Sequence, residues 1–313
     1  VITVPDRDGG GAPADPRPGD PPIAGHQGAL FGVLLIGYPA AWALGLSPVW
    51  FALMALPMVL WLIRNRPLRV APGTGHLALF LVVFGLSGIG LDSPGAAAVF
   101  GLRCSWYLAA FIAFLYLARH RGAEDGVGLV RAMVALWVLV AAGGYLSILF
   151  PELGWSTPLA RLLPDALADN DLLDRMLNPQ VSETQVFRYQ DVVLHRPAAP
   201  FPYTNAWGSS MALLTPFVVA AVHDRRIGLS RPVLVALLAA GLVPLSVALN
   251  RGSWLTLGIG LAYGAVRWSR LRRDNRPLIV LGLLVATGLA LTSLTGVLDT
   301  SLRQLETRTA DSD

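Results

Sequence analysis

The sequence predicts an all-α, polytopic transmembrane helix bundle of about nine helices, with one long extracytoplasmic loop. Three observations lead there. The chain is 54% hydrophobic and only 14% charged, against about 25% charged for soluble domains. Its mean hydropathy is +0.56, and its apolar runs approach the ~20 residues that a helix needs to span a bilayer. Those runs are continuous rather than alternating, which argues against a transmembrane β-barrel.

The elements follow in order. Residues 1–25 are rich in Pro, Gly and Asp and read as a disordered cytoplasmic tail. No basic start and apolar core mark a secretory signal there. Residues 26–313 read as the transmembrane domain. Its first segment runs from Ala29 to Gly45 and its second from Pro48 to Ile63, joined around Leu46-Ser47. The third covers Gly75 to Leu91, the fourth Phe100 to Ala118 and the fifth Val127 to Phe150. A polar, acid-leaning stretch, 151–202, is too long and too charged to be embedded. Within it, Leu162–Leu177 suits a short surface helix. The sixth segment spans Asn205 to Val222, the seventh Pro232 to Leu249, the eighth Trp254 to Val266 and the ninth Pro277 to Val297.

The basic residues orient this stack. All 24 are arginine. Arg64, Arg66 and Arg69 follow the second segment, and Arg119 and Arg121 the fourth. Arg225, Arg226 and Arg231 follow the sixth; Arg267, Arg270, Arg272, Arg273 and Arg276 follow the eighth. Basic loops stay in the cytoplasm, so the N-terminus is expected inside and the 151–202 loop outside. The net charge of +4 is scattered between helices, which does not suit nucleic acid. A single cysteine, Cys104, excludes an internal disulfide and a cysteine metal cage. No phosphate-binding loop, zinc motif or dinucleotide fingerprint appears in a suitable context, and no metal site or cofactor is expected.

Arg196 and Arg251 stand out against this pattern. Each flanks an apolar segment on the outer face, where basic residues are usually removed. Guanidinium offers a planar fork of donors that fits phosphate oxygens. Two forks at one face could hold a pyrophosphate and stabilise its charge as it leaves a sugar. The plainer reading is that each snorkels to lipid headgroups. Around them lie Arg188, His195, Tyr203, Asn205, Trp207, Asn250 and Arg103, candidates for substrate binding. His195 has the chemistry of a general base, or is a loop histidine without a role. Tyr203 and Trp207 suit an interfacial aromatic belt or sugar stacking. Asn205 suits a helix cap. Arg103 either joins the cluster or pairs with Asp92.

The run Arg196-Pro-Ala-Ala-Pro-Phe-Pro-Tyr-Thr-Asn205-Ala-Trp-Gly208 leads into a membrane helix and resembles the O-antigen ligase and polymerase family. Asn250-Arg251-Gly252-Ser253-Trp254 resembles that family's Ser-Arg-Gly turn, with Asn250 in place of the usual Ser. The resemblance is best from Val186 to Val297. It implies a multi-pass glycosyltransferase of the bacterial cytoplasmic membrane, with no cofactor. A glycan would pass from an undecaprenyl-pyrophosphate carrier to a lipid or glycan acceptor, with Arg196 and Arg251 on the leaving pyrophosphate. The family's second outer loop, with its histidine, would then lie beyond Asp313, and the chain would be a truncated member. The competing expectation is a lipid or polysaccharide transporter or scaffold in an envelope export system. The helix centres carry no acid, and the charge gathers at the surface, which favours surface chemistry.

Overall fold

In hydrocarbon a backbone amide finds no water, so an apolar run must satisfy its own polar groups. The computed structural model does this with helices. It describes residues 27–64, 71–91, 93–119, 123–162, 170–187 and 192–273, with positions 275, 276, 279 and 282. The helices are α1 (Gln27–Ala43), α2 (Ser47–Arg64), α3 (Thr74–Leu86), α4 (Pro94–Arg119) and α5 (Ala123–Leu149). After the long loop come α7 (Thr204–His223), α8 (Arg231–Val247) and α9 (Arg251–Arg272). The loop itself holds α6 (Asp171–Leu177) and a hairpin of β1 (Ser182–Phe187) and β2 (Val192–Pro197). The expected tail at 1–25 lies outside the described residues, as does nearly all of the expected ninth segment.

The chain is mostly helical, and among the described residues four helices are long and apolar enough to cross a membrane: α2, α4, α5 and α7. α1 and α8 are apolar but shorter, and so is the stretch Thr74–Gly90 that contains α3. The expected eighth segment is a 22-residue helix, but α9 carries arginine at both ends, so its composition alone does not mark a span. α4 begins at Pro94 rather than Phe100, because small residues extend the helix outward.

Much of the helical surface is apolar. α3 buries no residue and presents Leu79, Phe80, Val82, Val83 and Leu86 outward. An apolar face of that extent needs an apolar cover. The tightest core lies between α5, α7, α8 and α9, around Trp137, Val140, Trp207, Met211, Val218 and Leu234. Both indoles in it are satisfied. Trp137 Nε1 donates to Thr215 Oγ1 at 3.0 Å, and Trp207 Nε1 to the Val140 carbonyl at 2.9 Å. A second core joins α1, α2 and α4 through Phe31, Leu34, Met58, Leu62 and Tyr116.

The described parts of the 151–202 segment carry α6 and the hairpin and lie across one end of the bundle. The Trp155 indole donates to the Ala43 carbonyl at the end of α1, at 2.8 Å. The Ser47 hydroxyl at the start of α2 donates to the Met176 carbonyl of α6. The Ser147 hydroxyl near the end of α5 donates to the Val181 carbonyl. The turn after β2 then presses on α5: a Cβ at Gly143 would stand 2.7 Å from the Ala199 carbonyl carbon. At the opposite end lie Arg64, Arg226, Arg267 and Arg270. There Arg131 Nε donates to the Ile227 carbonyl at 3.1 Å, closing the α7–α8 connection.

Candidate functional site

α7 and α9 start at the same end of the bundle, beneath the hairpin. They are parallel neighbours: Gly208 abuts Ser253 near their starts, and His223 meets Trp268 near their ends, with ring centroids 5.0 Å apart. The pairing is close because residue 208 has no side chain. A Cβ there would stand 2.8 Å from Asn250 Nδ2 and 3.2 Å from Ser253 Cβ. Asn250 Nδ2 also donates to Asn205 Oδ1 at 3.2 Å, tying the two starts together. Each helix start carries about half a positive charge, and some of its N–H groups are already taken: the Glu183 carboxylate accepts from the Thr204 amide and the Asn250 side chain from the Ser253 amide. Two parallel starts side by side add their fields, and such a place favours anions.

The turn into α9 is strained and pinned. α8 ends at Val247, and Leu249 adopts φ 48, the left-handed region. Asn250 then caps α9 by accepting from the Ser253 amide at 3.2 Å. Arg251 is therefore the first residue of α9, not part of a free turn. It is exposed. Arg196, on β2, reaches across to the same turn. Its Nε donates to the Ala248 carbonyl at 2.8 Å, and its Nη1 donates to Gln185 Oε1 at 2.9 Å. Neither arginine has a carboxylate in ion-pair distance among the described residues. The structure thus brings Arg196 onto the turn from which Arg251 emerges.

A satisfied polar network borders this place. Glu183 Oε2 accepts from the Thr204 amide at 2.9 Å, and Glu183 Oε1 lies 3.9 Å from Arg175 Nη1. Arg175 Nε donates to Asp171 Oδ1 at 3.0 Å, and its guanidinium sits 4.9 Å above the Tyr203 ring centroid. The Tyr203 hydroxyl donates to Asp171 Oδ2 at 2.9 Å. The Asp171 carboxyl is held below the usual carboxylate range, first by the Arg175 hydrogen bond and then by the Tyr203 hydroxyl.

The remaining expected site residues sort as follows. Asn205 is not the cap of its helix; Tyr203 occupies that position, and the Glu183 carboxylate satisfies the Thr204 amide instead. Asn205 serves as the tie to Asn250. Trp207 is fully buried in the core, so it belongs neither to an aromatic belt nor to a sugar-stacking surface. It points inward because α7 turns that face toward α5. His195 lies on the other face of β2 from Arg196, since successive strand residues point to opposite sides. Its Nδ1 is 3.4 Å from Thr184 Oγ1. Arg103 is exposed on α4, which packs against α2 and α3, and among the described residues no hydrogen bond or ion pair joins it to the cluster. Arg188 and Asp92 lie outside the described residues. Sequence reasoning missed Gln185, Glu183 and Arg175. The alternation Glu183-Thr184-Gln185 with Leu194-His195-Arg196, rich in β-branched neighbours, was the available strand signal.

Comparison with known proteins gives no matching family model, no matching curated protein and no matching solved structure.

Proposed function

We propose that the paired starts of α7 and α9, with Arg196 and Arg251, bind the pyrophosphate of a lipid-linked glycan during its transfer. The observation that carries this reading is the hydrogen bond from Arg196 to the Ala248 carbonyl. It anchors one guanidinium at the turn that launches the other, beside two parallel helix starts. Arg196 keeps donors that the protein does not use, and Arg251 is wholly uncommitted among the described residues.

In this reading an acceptor hydroxyl attacks the anomeric carbon of the donor sugar. The carbon–oxygen bond to the carrier breaks, its electron pair goes to the pyrophosphate, and the proton of the acceptor hydroxyl passes to water or to the departing pyrophosphate. Charge builds on that leaving group, where the two cations and the helix starts stabilise it. The reading resembles O-antigen ligases and polymerases in its use of arginines. The membrane is then a bacterial cytoplasmic membrane, with the hairpin face outside and the Arg64, Arg226 and Arg267 ends inside. The donor is an undecaprenyl-pyrophosphate glycan, and the acceptor a lipid or a second glycan.

The test is transfer from a lipid-pyrophosphate glycan by membranes holding the parent protein, Arg196→Ala, Arg251→Ala or the double variant. Each single change is expected to slow transfer on the order of 10²–10³-fold. The double variant should be little worse than either, because both grip one group. Small, additive losses at normal expression would indicate independent snorkelling and sink the proposal.

A further inference from the structure

The hairpin has a second working face. Strand alternation sends Glu183, Gln185 and Arg196 toward the helix starts, and Thr184 and His195 the other way. Against that other face the chain leaving α5 folds back and leaves an open cleft of about 290 Å³. Glu152, Leu153, Gln180, Ser182, Thr184 and His195 line it.

The walls are fixed before any ligand arrives. Gly154 and Gln180 form a bridge, the Val181 amide donates to the Leu153 carbonyl at 3.0 Å, and the Trp155 amide donates to the Pro179 carbonyl at 3.1 Å. The Ser182 hydroxyl is spent on the Pro151 carbonyl. That leaves a carboxylate, an imidazole, an amide and the Thr184 hydroxyl facing one small volume.

This chemistry narrows the ligand. Among the described residues the lining contains no arginine, so no guanidinium there matches a phosphate. One carboxylate and one imidazole fall short of the six to eight oxygens, roughly, that calcium takes. The apolar part of the lining is too small for an acyl chain. A set of mixed donors and acceptors in a preformed cleft, near the lower end of the roughly 300–1,000 Å³ range of small-molecule sites, suits adjacent hydroxyl groups. The geometry points to a binding site for a neutral saccharide of one or two rings on the far side of the hairpin from Arg196. This inference rests on the cleft's own lining and not on the pyrophosphate reading; only the choice of probe rests on that reading. If both hold, the cleft keeps a glycan chain beside the transfer site, and His195 contacts that chain rather than the reacting carbon.

The experiment uses the full chain in lipid nanodiscs. The probe is the pool of oligosaccharides released by mild acid from the carrier lipids of the source cells, followed by saturation-transfer NMR and titration. Saturable binding is expected, weakened about tenfold, the scale of one lost hydrogen bond, by Thr184→Val and by His195→Leu. Inorganic pyrophosphate should not compete, because it would sit on the other face; its own binding, measured in the same samples, reads the Arg196–Arg251 site separately. Absence of saturable saccharide binding by the folded parent would overturn the inference. So would binding unchanged in both variants, or displacement of the saccharide by pyrophosphate.

Discussion

Gly143→Ala is the substitution whose consequence the structure specifies most closely. Gly143 lies on α5 where the Ala198–Pro200 turn crosses it. An added Cβ would stand 2.7 Å from the Ala199 carbonyl carbon and 3.3 Å from Pro200 Cδ. Non-bonded carbons settle at about 3.5–4.0 Å, so the turn has to retreat by roughly 1 Å. It cannot do so by rotating a side chain, because the obstacle is backbone. That backbone is itself held, since the Ala198 and Ala199 amides both donate to the Val181 carbonyl at 3.0 Å. Overpacking of this kind costs about 1–3 kcal/mol. The gain in helix propensity from Gly to Ala offsets up to about 1 kcal/mol, so the net loss should lie at about 0–2 kcal/mol. In a domain of this size that lowers Tm by about 2–4 °C per kcal/mol. Gly101→Ala is the control: Gly101 is exposed on α4, with nothing within 4 Å of the new carbon. It should be neutral or stabilising by up to about 1 kcal/mol. Thermal unfolding in detergent, followed by tryptophan fluorescence, compares the two. The turn also sets the position of Arg196, and a 1 Å displacement can cost on the order of 10² in rate, so under the proposed transfer reading Gly143→Ala should lower transfer beyond its loss of fold. Gly143→Ala unfolding above the parent temperature would refute the close-approach argument.

Other outcomes follow from single features. Leu249→Gly should raise stability by about 0.5–1 kcal/mol in the same unfolding assay, because a left-handed leucine is strained and glycine is not; a loss would mean the Leu249 side chain has an undetected role. Asp171 has a depressed folded pKa, so its contribution is present above the ordinary carboxylate value of about 3.9 and is lost as pH falls through the folded value. Parent and Asp171→Asn should therefore differ in stability near neutral pH and converge in acid, and a gap independent of pH would remove the Arg175–Asp171–Tyr203 linkage as its cause. For orientation, single cysteines at Leu162 and Ser230, both exposed, go into a Cys104→Ser background. An impermeant thiol reagent on intact cells should label position 162 alone, and labelling of 230 alone would invert the topology.

The sequence by itself determined the helical class and the order of its segments. It also separated the two ends of the bundle, because hydrocarbon forces apolar runs into helices and arginine is sorted by membrane face. Both signals are local and survive without knowing what packs on what. It marked Arg196 and Arg251 for the same reason, as cations out of place. What it could not supply was everything decided by which face of an element is turned inward. Trp207 has the composition of a surface aromatic and is the centre of a core, because α7 turns that side to α5. Asn205 has the composition of a cap and ties two helices instead. The hairpin leaves little trace in the sequence, since its strands are short and its ordering comes from helix ends far away in sequence. His195 and Arg196 are consecutive residues, yet strand alternation puts them on opposite faces and gives them different work. Only the tertiary structure sets the start of α7 beside the start of α9 and brings Arg196 onto the turn before Arg251, 52 positions from the carbonyl it holds. Such a contact depends on the packing of four helices and a hairpin at once, and no local pattern encodes it.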